Sequence, residues 1–283
     1  MTTLGPILDH LPGWLLVLFR LTGVFLLAPV FGSRTIPRLV KVFLVVGLAL
    51  CVYPVLVGAG VAGPGAVGIA SGRELQLWVL LPLVAAELLL GYVIGYCASL
   101  PLIGMQVGGQ VIDQQMGVSA GGVFNPDLDA EAGVIGQLLF LTGLTIFLIL
   151  GGHHAILLAL VGSFEAVPIG GFVTPATAGS GGFESYVALV IGLLTVMFDV
   201  ALRVSMPLLC ILFLLRVAMG FIGRTVPQMN ILSVGFIFYI LAGLVVLIVG
   251  VAAVLGAFDA AMSRTLHLIL EAFTVQNPAR IAR

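Results

Sequence analysis

Uncharged apolar runs recur along the chain at residues 42–72, 88–112, 132–164 and 225–258. Roughly 20 apolar residues cross the hydrocarbon core of a bilayer, so each run is long enough for at least one span. The pattern predicts a first helix over residues 14–31, interrupted by Arg20. A basic turn follows at 33–41, with Arg34, Arg38 and Lys41 around Pro37, and then a second helix over 39–58. Gly58, Gly60, Gly63, Pro64 and Gly65 close that helix as turn and loop punctuation. A third helix is expected over 75–100, with Glu87 in its interior. Residues 134–164 would make a helix about 46 Å long, too long for one upright crossing, and Gly151 and Gly152 divide it. A Gly-, Thr- and Ser-rich connection at 168–182 leads into 183–222, which reads as two helices meeting near Arg203–Pro207. A last long helix is expected over 230–258. In the tail, 264–283, Leu266, Ile269, Leu270 and Phe273 recur at helical spacing, a stripe suited to a partner or a membrane interface. The fold class is therefore all-α: a polytopic integral membrane protein of long kinked helices and helical hairpins. Its membrane domain would span residues 1–260 and its amphipathic tail 261–283.

Against that background the stretch 104–133, GMQVGGQVIDQQMGVSAGGVFNPDLDAEAG, stands apart. Three glutamines, four acidic groups and no basic residue follow Gly109, in a chain where 8% of residues are charged and 61% are hydrophobic. It reads as a polar loop. Irregular, Gly-rich backbone cannot face lipid, because its N–H and C=O groups would go unpaired. The stretch must then sit in water, against protein, or inside a passage. Gln106, Gln110, Gln114 and Gln115 carry amides that bond as donor or acceptor, Met105 and Met116 add pliable apolar contacts, and Gly117 permits a tight turn. An ordinary surface loop between helices is the competing explanation.

Composition leaves no room for a separate soluble domain, and a net charge of −1 gives no basic face for nucleic acid. Cys51, Cys97 and Cys210 are far apart in apolar runs and read as small buried hydrophobes. The first hydrophobic segment lacks a basic residue ahead of it and a clean cleavage site, so it is expected to persist in the mature protein. Orientation rules conflict. The basic turn belongs in the cytoplasm by the positive-inside tendency, yet strict alternation places the acidic stretch after Ile112 there too. Helices that do not all cross a bilayer conventionally would resolve the conflict.

Arg20, Glu87, Asp199, Arg203 and Arg216 lie within apolar helices, where an unpaired charge is costly. Asp199 and Arg203 are four apart with the acid first, the favourable order for a structural ion pair. A proton or ion relay of a secondary transporter is the sharper alternative. Glu87 could pair with Arg20 or with Arg216. Adjacent His153 and His154 project about 100° apart on a helix and cannot chelate one ion, and no metal-ligand spacing exists elsewhere. No hydrolase, metalloprotease or nucleotide-binding motif occurs, so no catalytic residue, metal site or cofactor is expected. A membrane enzyme acting on lipid would need an interfacial polar cluster that the sequence does not offer.

The segments GQVIDQQMGVSAGGVFNPDLDAEAGVIGQLLFL (109–141), GGHHAILLALVGSFEAVPIG (151–170) and PQMNILSVGFIFYILAGL (227–244) resemble FliR, the R subunit of the flagellar export apparatus, and its injectisome type III counterpart. IPRLVK (36–41), Arg20 and ELLLGYVIGY (87–96) fit the same pattern, so the resemblance runs nearly end to end. It implies a core subunit of the export gate, the pore through which unfolded flagellar proteins cross the bacterial inner membrane within the basal body. The N-terminal part would be arranged like a P subunit and the C-terminal part like a Q subunit. P and Q subunits would be its partners in a helical pore complex, much of it above the membrane plane, with a B subunit, the specificity switch, on the cytoplasmic side. The family's pore loop aligns with 106–124, which makes Gln106, Gln110, Gln114, Gln115, Met116, Gly117 and Phe124 the expected gasket residues.

Overall fold

The computed structural model describes residues 5–33, 36–62, 77–118, 133–171, 182–225 and 231–273. They form seven helices: α1 (Gly5–Leu27), α2 (Arg38–Gly58), α3 (Leu77–Met116), α4 (Val134–Ile149), α5 (Gly152–Ala166), α6 (Gly182–Thr225) and α7 (Ile231–Phe273). There is no strand among the described residues. Five helices are long and apolar enough to cross a membrane, or six spans if the bent α4–α5 pair counts as one. The chain is thus an all-α polytopic membrane protein.

Three expected breaks are absent. α3 does not stop near residue 100 but runs on to Met116, so Gly104–Met116 is helix and not loop. The glycines that suggest a loop in one dimension are close-packing positions in three. A Cβ on Gly104 would come within 2.5 Å of the Met197 carbonyl, and one on Gly108 within 2.9 Å of the Ala201 carbonyl. α6 likewise passes through Pro207 as one helix of 44 residues. Proline removes a single backbone bond, and long apolar helices tolerate that loss when packing holds both halves. α7 continues through the tail to Phe273, where Leu266, Ile269 and Phe273 are buried within the chain. The apolar stripe of the tail is therefore already occupied. By contrast, the break at Gly151 is real. Gly151 takes φ 70, a left-handed conformation that glycine adopts without strain, and α4 and α5 meet there at 65°.

The chain divides into two compact units. One holds Met1–Ser99, Gly151–Gly192 and Thr265–Arg283; the other holds Leu100–Leu150 and Leu193–Arg264. In the first, α1 and α3 touch backbone to backbone. A Cβ on Gly91 would overlap the Arg20 carbonyl, one on Gly23 the Leu88 carbonyl, and one on Gly95 would approach the Val24 carbonyl to 2.7 Å. Gly91 and Gly95 are a small-xxx-small pair, the spacing that lets membrane helices approach most closely. α2 joins through Tyr53, whose hydroxyl donates to the His10 carbonyl at 3.1 Å and meets His10 Nδ1 at 2.9 Å. In the second unit the end of α3 packs on α6 through Gly104 and Gly108. It meets α4 through Gly109, where a Cβ would come within 2.5 Å of the Gly136 Cα.

Candidate functional site

Two polar constellations emerge from this packing, one in each unit. In the first, the glycine contact between α1 and α3 brings Arg20 and Glu87 together with 0% and 1% exposure. Arg20 Nε donates to Glu87 Oε2 at 2.5 Å. Its Nη1 donates to Ser163 Oγ and its Nη2 to the Val167 carbonyl, both at 3.1 Å, while the guanidinium carbon stands 4.2 Å from the Phe164 ring centre. The other carboxylate oxygen of Glu87 accepts the Gly170 N–H at 2.9 Å. Glu87 therefore pairs with Arg20, not with Arg216. A buried ion pair holds only when further hydrogen bonds satisfy both partners, and here α5 and the turn after it supply them. The arrangement ties α1, α3 and α5 into one body. Glu87 has a protein donor on each oxygen, which makes it a strut and not the open carboxylate a relay would use.

The second constellation is the end of α3. Gln106, Gln110 and Gln114 recur every fourth residue, so they share one side of the helix, with Gln114 exposed and the other two half-buried. Gly104, Met105, Gly108, Ile112 and Met116, on the far side, are buried. Gly109 and Asp113, which border the glutamine stripe, are buried against α4, and the Gln110 side chain itself lies against Gly136 of α4. Met116, an expected gasket residue, is turned inward at 1% exposure, and its thioether lies against Gly243 of α7. Gly117 ends the helix at φ 79 beside the Phe236 ring. Arg216 of α6 donates from Nη2 to the Gln115 carbonyl at 2.8 Å, with its guanidinium carbon 5.6 Å from the Tyr239 ring centre. A cation at a helix C-terminus also meets the negative end of the helix dipole. The last turn is thus pinned from α6 and α7 while Gln114 stays exposed. Phe124 lies outside the described residues.

Asp199 and Arg203 do pair, Arg203 Nε donating to Asp199 Oδ2 at 2.7 Å, but within α6 alone and with side chains 53% and 64% exposed. The pair therefore locks no two helices of this chain together. It lies among the exposed apolar side chains Phe198, Leu202 and Met206. His153 and His154 are exposed in the first turn of α5, just past the bend.

Several contributors escape a linear reading. Ser163, Phe164, Val167 and Gly170 complete the Arg20–Glu87 network, and nothing in their spacing announces it. Gly91-x-x-x-Gly95 and Gly104-x-x-x-Gly108 do carry a usable signal, the small-residue spacing of tightly packed membrane helices.

The class defined so far is a polytopic helical membrane protein with a sealed charge network in one unit and an accessible amide-bearing helix end in the other. Residues 11–265 match the family described as bacterial export proteins, family 1, and the chain belongs to that family. It is 28% identical over 246 residues to the flagellar biosynthetic protein FliR of Bacillus subtilis (strain 168), covering 87% of this chain and 88% of that protein. It is 29% identical over 217 residues to the Yop proteins translocation protein T of Yersinia pestis, covering 76% and 77%. The flagellar biosynthetic protein FliR of Escherichia coli (strain K12) is 25% identical over 226 residues, covering 77% and 76%. The resemblance of the motifs to FliR is upheld.

Proposed function

We propose that the chain is a core subunit of the flagellar type III protein export gate in the bacterial inner membrane. Together with P- and Q-type subunits it forms the conduit for unfolded flagellar proteins, with a B-type subunit on the cytoplasmic side. The glutamine-bearing end of α3, Gln106–Gly117, helps to close that conduit at rest. The observation that carries this reading is the two-sidedness of the α3 terminus. One side is packed on α6 through glycines and its end is pinned by Arg216, while the other carries a stripe of amides, Gln110 resting on α4 and Gln114 exposed, in an otherwise apolar protein. Amides facing lipid would be unsatisfied, whereas amides facing a water-filled or protein-filled lumen find partners in either state.

Helix length supports the placement. α3, α6 and α7, with 40, 44 and 43 residues, are about 60–66 Å long at 1.5 Å per residue, twice a hydrocarbon core of about 30 Å. Such helices tilt steeply or extend beyond the bilayer, and extension answers the conflict between the basic turn and the acidic stretch. The most apolar part of α7 is almost wholly uncovered within the chain, as expected of a subunit whose helices are completed by neighbours or lipid. The FliR match of Bacillus subtilis, over 87% of the chain, supports the flagellar reading, and the match to the Yop translocation protein T, over 76%, makes an injectisome counterpart the alternative.

The test is permeability. Gln106→Ala/Gln110→Ala/Gln114→Ala trims the amides and leaves the glycine contacts of α3 with α6 intact. In complexes that still co-purify with two small hydrophobic helical subunits, the triple variant is expected to make cells leaky to small solutes. Wild-type permeability in fully assembled complexes would remove the closure role.

A further inference from the structure

We infer that Asp113 is a positioning residue that joins the end of α3 to the start of α4 and so sets where the glutamine-bearing turns stand. The functional part of this inference rests on the closure reading above, but the joint itself does not. The N-cap of α4 is Gly133, which has no side chain with which to cap the helix. The first N–H groups of a helix need acceptors, and a carboxylate there also meets the positive end of the helix dipole. Asp113 supplies the acceptors from another helix. Its Oδ1 accepts the Ile135 N–H at 3.3 Å and its Oδ2 the Gly136 N–H at 3.0 Å.

Three further observations make this a built joint. Asp113 is 1% exposed, and a Cβ on Gly133 would overlap its carboxylate, so the absence of a side chain at 133 is what admits it. One turn earlier, Gly109 lies against Gly136, which brings the two backbones close enough for so short an arm to reach. The Asp113 main-chain carbonyl accepts the Val118 N–H at 3.1 Å. One residue therefore closes α3 through its backbone and opens α4 through its side chain.

A local cap and a joint between helices make different predictions. The test uses the full-length chain purified in mild detergent. Asp113→Ala is expected to speed hydrogen exchange at the Ile135 and Gly136 amides about tenfold or more, with Val24 in α1 unchanged as a folding control. Gly133→Ala, which crowds the carboxylate while keeping its charge, is expected to do the same. Asp113→Ala/Gly133→Ser then restores a local cap on α4 without restoring the link to α3. In that double variant exchange is expected to return to wild-type rates. The distance distribution between spin labels at Gln114 and Leu138, in a cysteine-free background, is nonetheless expected to be broader than in the otherwise unaltered chain. Unchanged exchange in Asp113→Ala, or a wild-type distance distribution in the double variant, overturns the inference. If the distances broaden as expected but assembled complexes of the double variant stay impermeable, the joint stands and the closure reading fails.

Discussion

Arg20→Ala and Glu87→Ala are each expected to cut accumulation of the folded protein in the membrane severely. Each removes one member of a buried ion pair and leaves the other without its charge partner, a loss of about 3–5 kcal/mol where such pairs have been broken. That is a large share of the roughly 5–15 kcal/mol by which folded proteins are stable. The surroundings make relief difficult. The pair is fully buried, and the backbones of α1 and α3 are in contact beside it, so the stranded group lies far from solvent. Replacing both residues by leucine removes both charges and leaves the Val167 carbonyl and the Gly170 N–H without partners. The double variant is expected to be unstable by much less than the sum of the singles. Yield in membranes and the thermal midpoint in detergent provide the measurement. Additive losses would mean that Arg20 and Glu87 do not act as a pair.

The next largest effect is expected at Gly91. Its absent side chain allows the backbone of α3 to lie on the backbone of α1, and a methyl group there would overlap the Arg20 carbonyl. Overpacking generally costs about 1–3 kcal/mol. The obstacle here is main chain and not a side chain able to swing away, so Gly91→Ala falls at the upper end and Gly91→Val beyond it. Separating α1 from α3 also pulls Arg20 off Glu87, which adds part of the first loss. Gly47 in α2 is the control, because nothing lies within 4 Å of a Cβ built there. Gly47→Ala is expected to accumulate like the wild type. If Gly91→Ala accumulates equally well, the close approach of the two helices is not what sustains the network.

Much of the fold is legible in the linear pattern because one-dimensional hydropathy reports length and lipid exposure directly. The second helix and the break at Gly151 are found where their punctuation places them. What misleads is glycine and proline read as local signals. At 104, 108 and 109 glycine serves another helix and not its own backbone, and at Pro207 a single missing bond does not end a helix held along its length. Pairing is hidden for a similar reason. Glu87 has two candidate partners in sequence terms, Arg20 and Arg216, and the choice of Arg20 follows from Gly91 admitting α1 at that height. Asp113 is the least legible of all. In the sequence it is one of four acidic groups in a polar stretch, and its role depends on the bare Gly133 twenty residues later.

The central claim is that the amide side of the α3 terminus faces a conduit enclosed by neighbouring subunits. Its most direct test is photo-crosslinking in cells whose export is arrested by a substrate too stably folded to pass. A photoreactive residue at Gln114 is expected to form an adduct with the arrested substrate, while one at Ile248, on the uncovered apolar face of α7, is expected to form none. A fully assembled complex in which Gln114 yields no substrate adduct, or no more than Ile248 does, would contradict the account.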